Sequence, residues 1–180
     1  MKTVFLMIAR VLYDKGYQEY VDAARIIRQE HPDVEFWLLG KIDEEYPNHV
    51  PGSVVDADHR TGIIYYKGFT SDVKPIEVEA DCIVHPTFYN EGMSRVLMEA
   101  MAMRKPIITT DIPGCKETVE DGRNGYLVPP RNVDALVKAI RKFLNLSQEE
   151  RKAMGDYGRE KAEREFDVKN VIAVYRGITG

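Results

Sequence analysis

Short apolar runs alternate with amphipathic stretches along the whole chain. Residues 3–9 form an apolar run of the length of a buried strand, and residues 17–30 follow with apolar positions at helical spacing. Similar apolar runs recur farther along, each bounded by glycine, proline or charged residues. The pattern predicts six strands, at residues 3–9, 34–39, 63–66, 82–85, 106–110 and 125–128.

The segments between the apolar runs predict helices and one long loop. Residues 41–62 are mostly polar, and Pro47, Pro51 and Gly52 interrupt any long regular element there. Apolar residues at helical spacing predict longer helices elsewhere, joined by shorter helical turns. The predicted helices lie at residues 17–30, 94–104, 132–144 and 147–163, with a short helix at 72–79 and a short helical turn at 116–121.

Strands that alternate with helices and are apolar along their whole length are typical of a parallel sheet covered on both faces. We expect one α/β domain over residues 1–180, a Rossmann-like doubly wound parallel six-stranded sheet with helices on both faces. In the common strand order 3-2-1-4-5-6, ligands bind outside the carboxyl ends of strands one and four, where the sheet reverses direction. Functional residues are therefore expected to follow Ala9 and His85.

Charge and composition argue against some classes of function. The formal net charge is −4, which argues against a nucleic-acid-binding surface. No apolar run reaches the roughly 20 residues that a membrane span needs. Cys82 and Cys115 lie far apart and form no paired motif, so a reducing, cytoplasmic setting is the simplest expectation.

One acidic residue interrupts an apolar helical run. Residues 96–103 are apolar except for Glu99, which is therefore expected to be poorly solvated. A buried carboxylate needs a donor. Arg95, four residues earlier, would contribute only about 0.2–0.5 kcal/mol, which does not offset desolvation. Lys105 or a pair of ligand hydroxyls would serve better, and both remain open.

Two cations flank the start of the first helix. Arg10 ends the first apolar strand, and Lys15 comes just before Gly16 and the helical stretch. The free N–H groups and dipole of a helix N-terminus favour anions. This arrangement indicates a diphosphate site. The alternatives are that Arg10 pairs with an acid of a neighbouring loop and that Lys15 is merely solvated.

The loop before the Glu99 helix has similar features. Gly92 permits close backbone approach, and Ser94 can cap the helix. The helix entrance thus offers N–H groups to a second phosphate. Glu91 stands in this loop, where it could accept hydrogen bonds from a polyol or be an ordinary exposed acid.

Other motifs are weaker or missing. Asp56-Ala57-Asp58 has the form of a metal-binding DxD motif, but it follows no apolar strand and is discounted. His31, His49 and His59 share no metal-ligand spacing. No GxSxG, Walker A or GxGxxG motif occurs, which disfavours a hydrolase, an NTPase or a nicotinamide enzyme.

The candidate segments resemble glycosyltransferase family 4. Residues 85–102 and 105–114 resemble the E-x7-E region of that family, with Glu91 and Glu99 as its two acids. Residues 9–16 are similar to its GR…KG phosphate-binding segment, with Ala9 where glycine is usual. The resemblance covers nearly the whole chain. It looks closest to transferases that build bacterial capsule, exopolysaccharide or lipid-linked glycans.

The resemblance implies a retaining enzyme of the GT-B fold that takes its sugar from a nucleotide diphosphate sugar, with UDP favoured. Glu91, the catalytic candidate, would contact the transferred sugar, and Glu99 would hold the ribose hydroxyls. Arg10 and Lys15 would neutralise the diphosphate, so the resemblance implies that the enzyme needs no bound metal and no cofactor. The remaining donor-binding candidates are Gly92, Met93 and Ser94 for the phosphates, and Lys41, Thr70 and Ser71 for the base.

The resemblance also implies that residues 1–180 are the C-terminal, donor-binding half of a GT-B enzyme. An N-terminal domain, absent here, would bind a glycan or lipid-linked acceptor, so the isolated domain is expected to be inactive. The full-length protein is expected in the cytoplasm, and its peripheral association with the membrane stays open. The alternatives are half of a nucleotide-sugar 2-epimerase-like enzyme and a non-catalytic nucleotide-sugar-binding module.

Overall fold

The computed structural model describes residues 2–90 and 92–166. Within this part of the chain, six parallel strands form one sheet in the order β3-β2-β1-β4-β5-β6. The predicted doubly wound sheet and its strand order are therefore confirmed. The strands are Val4–Ile8 (β1), Glu35–Leu39 (β2), Tyr65–Tyr66 (β3), Cys82–His85 (β4), Ile107–Thr110 (β5) and Gly125–Val128 (β6).

Helices cover the sheet, and three of them begin at side-chain caps. Ser94 Oγ accepts a hydrogen bond from the Leu97 N–H, Asn132 caps its helix in the same way, and Ser147 forms a capping box with Glu150. Tyr13–Lys15 and Lys116–Thr118 are single 3-10 turns. The helices are Tyr17–Glu30 (α1), Gly52–Arg60 (α2), Lys74–Glu79 (α3), Arg95–Ala102 (α4), Val133–Leu144 (α5) and Gln148–Glu165 (α6).

The core consists of two apolar layers, one on each face of the sheet. Alternate residues of β1 supply both layers, because successive side chains of a strand point to opposite faces. Phe5 packs on one face, stacked on Phe36 at 5.2 Å and edge-on to Phe143 of α5 at 5.6 Å. Leu6 packs on the other face with Leu97 of α4. The all-apolar character of the strands follows from burial on both sides.

The predicted loop over residues 41–62 was wrong in its second half, where α2 forms. Pro51 stands just before the first helical residue, where a proline ring does not obstruct a helix. Val55 is buried against the core, which supplies the packing that stabilises so short a helix. Residues 41–50 remain irregular, as expected.

The reversal of the sheet lies between β1 and β4, which pair directly. Phe5 lies beside Cys82, and Leu6 beside Ile83. The chain therefore leaves both strands at the same edge of the sheet, and their following loops are neighbours. No helix in the described part of the chain is both long and apolar enough to cross a membrane.

Candidate functional site

The loops that follow β1 and β4 are joined at one backbone carbonyl. The carbonyl oxygen of Asp14 accepts hydrogen bonds from the N–H groups of Phe88 (3.0 Å) and Tyr89 (3.1 Å). It also accepts one from the hydroxyl of Thr87 (3.2 Å). The segment with Arg10 and Lys15 and the segment that leads to α4 thus form one continuous surface, as expected for residues that follow Ala9 and His85.

Gly16 lets α1 begin in contact with the β4 loop. Its φ is +89°, and a Cβ atom at this position would overlap the carbonyl oxygen of Pro86. Only glycine combines this left-handed conformation with so close an approach. Gly16 has no side chain that could cap α1, and the carboxyl of Glu19 in the first turn accepts a hydrogen bond from its own N–H. The other N–H groups of this turn lie at the reversal of the sheet, where they can bind an anion.

Both predicted cations lie at this edge, and each contacts an aromatic ring. The guanidinium carbon of Arg10 lies 4.9 Å from the ring centroid of Tyr46. The ammonium of Lys15 lies 4.8 Å from the ring centroid of Tyr89. Both rings belong to loops that follow strands, so cations and rings stand together at the carboxyl edge of the sheet.

The entrance to α4 has the predicted cap. The Ser94 side chain accepts the Leu97 N–H at 3.3 Å, and the Ser94 N–H donates to the Gly114 carbonyl at 3.0 Å. Gly92 and Met93 are exposed just before it, and a Cβ on Gly92 would meet open space. Glu91, the catalytic candidate, lies outside the described residues, so its role stays a prediction.

Glu99 lies in α4 and is 6% exposed, which confirms the expected burial. Lys105, one of the donors considered for it, contacts the end of α3 instead, where its Nζ donates to the carbonyls of Val78 (3.0 Å) and Ala80 (2.7 Å). Burial lowers the pKa of Lys105, and the nearby Glu77 carboxyl opposes that shift. The binding role of Glu99 stays a prediction.

The base-binding candidates lie on two further loops at the same edge. The Gly40 N–H donates to the Gly68 carbonyl at 2.9 Å, which joins the loops after β2 and β3. The Val11 N–H donates to the Lys41 carbonyl at 3.0 Å, so Lys41 lies beside the Arg10 segment. Thr70 forms a local turn with Asp72, and Ser71 is exposed. A cavity of about 390 Å³ adjoins these loops, lined by Ile42, Gly52, Ser53, Val55, Asp56, His59 and Tyr66.

The discounted DxD motif lies on α2 rather than at a strand end. Asp58 accepts a hydrogen bond from the Tyr17 hydroxyl at 2.7 Å, and Asp56 pairs with Arg60 on the surface. Both acids thus have protein partners. Among residues 2–90 and 92–166, no group of three or more His, Cys, Asp or Glu side chains could hold a metal ion. His85, the last residue of β4, is buried.

Sequence reasoning missed the aromatic residues at this edge. Tyr46 and Tyr89 contact the two cations, and Phe69 is 67% exposed in the loop after β3. Their position in loops that follow predicted strands, at the edge where ligands bind in such sheets, was the available signal. Their distance in sequence from Arg10 and Lys15 concealed the contacts.

Comparison with known proteins places the chain in a family. The family model described as glycosyl transferases group 1 matches residues 1–161. The chain is 31% identical over 186 aligned positions to spore coat protein SA of Bacillus subtilis, covering 97% of this chain and 48% of that protein. It is 27% identical over 164 positions to the capsular polysaccharide biosynthesis glycosyltransferase CapM of Staphylococcus aureus, covering 88% and 41%.

A solved structure agrees with the fold. The crystal structure of Anabaena HepE in complex with UDP superposes with a TM-score of 0.81 at 24% identity, covering 98% of this chain and 48% of HepE. The chain spans about half the length, or less, of the proteins that it matches.

Proposed function

Because the chain belongs to the family of group 1 glycosyl transferases, we propose that residues 1–180 are the donor-binding domain of a retaining glycosyltransferase. The donor is a nucleotide diphosphate sugar, and UDP is favoured because HepE, which has the same fold, was crystallised with it. The acceptor is a glycan or a lipid-linked glycan of the bacterial surface, by analogy with CapM. The enzyme works in the cytoplasm.

One observation carries the proposal. Arg10, Lys15, the N-terminus of α1 and the entrance to α4 are brought to one surface by the hydrogen bonds at the Asp14 carbonyl. Two cations and two helix N-termini at one place favour a ligand with two adjacent negative charges. A diphosphate fits that requirement, and its nucleoside extends toward the loops after β2 and β3.

Each donor group then has a proposed contact. Arg10 and Lys15 neutralise the diphosphate, and the backbone at residues 92–94 cradles it. Glu99 accepts hydrogen bonds from the ribose hydroxyls, and Glu91 contacts the transferred sugar. The base lies against Lys41, Thr70 and Ser71.

These contacts also provide the catalytic effect. As the bond between the sugar and the diphosphate breaks, negative charge develops on the departing phosphate oxygen. Cations and N–H groups already in place stabilise that charge without having to reorganise. The site therefore needs no metal ion and no cofactor for transfer. The acceptor attacks from the face that the diphosphate leaves, so that the configuration at the sugar carbon is retained.

The remaining half of a GT-B enzyme supplies the acceptor site. The matched relatives are at least about twice as long as this chain, and the acceptor domain would lie in their additional length. Peripheral contact with the membrane, where a lipid-linked acceptor resides, would belong to that domain. The family match does not favour a 2-epimerase-like enzyme or a non-catalytic module.

Calorimetry with UDP, GDP and ADP tests the donor site. We expect the chain to bind UDP, and Glu99→Gln to weaken binding by about 1.5–3 kcal/mol, the value of a hydrogen bond to a charged group. Glu77→Gln is the matched control, because Glu77 is equally buried but lies on α3, outside the proposed site.

The outcomes separate the parts of the proposal. Equal UDP affinity of the wild type and Glu99→Gln would remove Glu99 from the site. A wild-type chain that binds none of the three nucleotides would overturn the donor-binding function itself.

A further inference from the structure

Tyr46 contacts Arg10 from a separate loop. The two side chains are 4.9 Å apart, measured from the guanidinium carbon to the ring centroid. Arg10 is exposed and Tyr46 is half-buried, so the ring contacts the guanidinium from the protein side. Among the described residues, no carboxylate lies within ion-pair distance of Arg10. The ring of Tyr46 is thus the contact that defines where this guanidinium stands.

An aromatic partner suits a phosphate-binding arginine for a physical reason. A guanidinium stacks on a ring through its planar face and donates hydrogen bonds through its edge. A ring can therefore hold the group while its N–H donors stay available to phosphate oxygens. A carboxylate partner would occupy those donors and cancel the charge. The stack at Tyr46 orients Arg10 and leaves its positive charge intact.

The backbone around Tyr46 is held against the segment that carries both cations. The Tyr46 N–H donates to the Asp43 carbonyl at 3.1 Å, and the His49 N–H donates to the Tyr46 carbonyl at 3.1 Å. The loop then runs along residues 11–14, where the Tyr13 N–H donates to the Asn48 carbonyl at 2.9 Å. Tyr46 and Arg10 are therefore fixed to one another by backbone contacts as well as by the stack.

Contacts between a cation and a ring also occur away from the proposed site, so such a contact alone does not mark a function. Lys142 lies 5.7 Å from the ring centroid of Tyr126, on the edge strand β6. What distinguishes Tyr46 is the location of its cation, which follows the carboxyl end of β1 and precedes the N-terminus of α1. Tyr126 therefore serves as a matched control.

We propose, on the premise of the donor site described above, that Tyr46 is a positioning residue that holds the Arg10 guanidinium ready for the donor diphosphate. Tyr46 acts through Arg10 and does not itself touch the phosphates. Its contribution concerns the phosphate part of the donor and not the nucleoside.

Calorimetry of the 180-residue chain with UDP and with uridine tests this role. We expect Tyr46→Leu, which keeps apolar bulk but removes the ring, to weaken UDP binding about two- to fivefold, the range of an exposed cation–π contact. Uridine binding should not change. Tyr46→Phe keeps the ring and should restore UDP affinity relative to Tyr46→Leu. Tyr46→Met provides a second non-aromatic variant should the leucine variant fold poorly.

Two controls isolate the contact with Arg10. In an Arg10→Ala background, Tyr46→Leu should cause no further loss of UDP affinity, because the partner is already gone. Tyr126→Leu removes the ring of the remote cation–ring contact and should bind UDP as the wild type does.

Any one of three results overturns the inference. Tyr46→Leu could bind UDP as tightly as the wild type, or it could lose as much affinity for uridine as for UDP. In the Arg10→Ala background, Tyr46→Leu could weaken UDP binding as much as it does in the wild type. If the wild type binds no UDP, the proposed donor site fails first. If the wild type binds UDP but the Tyr46 variants do not show the expected changes in affinity, the inference fails and the donor site stands.

Discussion

Arg10 and Lys15 place positive charge at the reversal of the sheet in a chain whose formal net charge is −4. Screening limits the reach of the distant acidic residues, since the Debye length is about 8 Å at physiological ionic strength. A bound phosphate would therefore respond mainly to the nearest charges. At the scale of single residues, local placement at the strand ends decides what the site can bind.

Gly16 is the residue on which the contact between the two loops most depends. We expect Gly16→Ala to destabilise the protein by several kcal/mol, because the new methyl group would combine a strained backbone with overlap against Pro86. Gly68→Ala is the matched control, since Gly68 has a similar φ of +78° but open space around its Cβ position. Its cost should be limited to about 1 kcal/mol of backbone strain.

Urea denaturation of both variants measures the difference. Equal losses for Gly16→Ala and Gly68→Ala would show that backbone conformation alone matters and that the approach to Pro86 does not constrain the fold.

At the scale of elements, α3 carries an unusual acid. Glu77 is 1% exposed, and neither of its carboxylate oxygens has a hydrogen-bond partner among the described residues. Burial raises its pKa to about 7, although the cations of Lys105 and Lys74 oppose the shift. Lys105 donates its hydrogen bonds to the carbonyls at the end of α3. Desolvation therefore outweighs the attraction to the cations.

This raised pKa predicts a pH dependence of stability. The core accommodates the protonated form of Glu77 better than the charged form, so proton binding to Glu77 stabilises the folded protein. This stabilisation is fully present below about pH 4.5 and is lost as the pH rises through about 7. Relative to Glu77→Gln, the wild type should lose roughly 2–3 kcal/mol of unfolding free energy between pH 5 and pH 8.

Urea denaturation of the wild type and of Glu77→Gln at several pH values gives the difference between their unfolding free energies. Titratable groups that the two proteins share contribute equally to both and cancel in the difference. Glu79→Gln, which changes an exposed acid of the same helix, should track the wild type. A constant difference between wild type and Glu77→Gln across this range would contradict a raised pKa.

At the scale of the whole molecule, two packed layers cover the faces of one sheet and leave its carboxyl edge as the proposed donor-binding surface. Loops after four neighbouring strands meet there, joined by the hydrogen bonds from Gly40 to Gly68, from Val11 to Lys41 and at Asp14. The rigid sheet thus presents several loops in one fixed arrangement. In the proposed division of labour, this edge holds the donor and a separate domain that faces it holds the acceptor.

The 180-residue chain is therefore expected to bind UDP but to transfer no sugar. The measurement is release of UDP from a UDP-sugar, with and without a glycan acceptor. Restored turnover on addition of an acceptor-binding domain would supply the positive control. Detectable transfer by the 180 residues alone would contradict the proposed division of labour.

The order of strands and helices could be predicted from the sequence because the buried face of a regular element requires apolar residues at a regular spacing. Strand β4 and strand β6 have the predicted bounds, and α1 begins and ends where its apolar spacing does. Helix α2 was not predicted, because its few apolar positions stabilise it only through packing against a core that is distant in sequence.

The amino-acid sequence by itself determined the sheet and singled out Arg10, Lys15 and Glu99, because isolated charges in or beside apolar runs are unfavourable without a partner. Tertiary structure alone decided which groups meet those charges. The stack of Tyr46 on Arg10 exists because residues 43–50 fold back along residues 11–14, and hydrogen bonds between distant segments leave no periodic trace in a sequence.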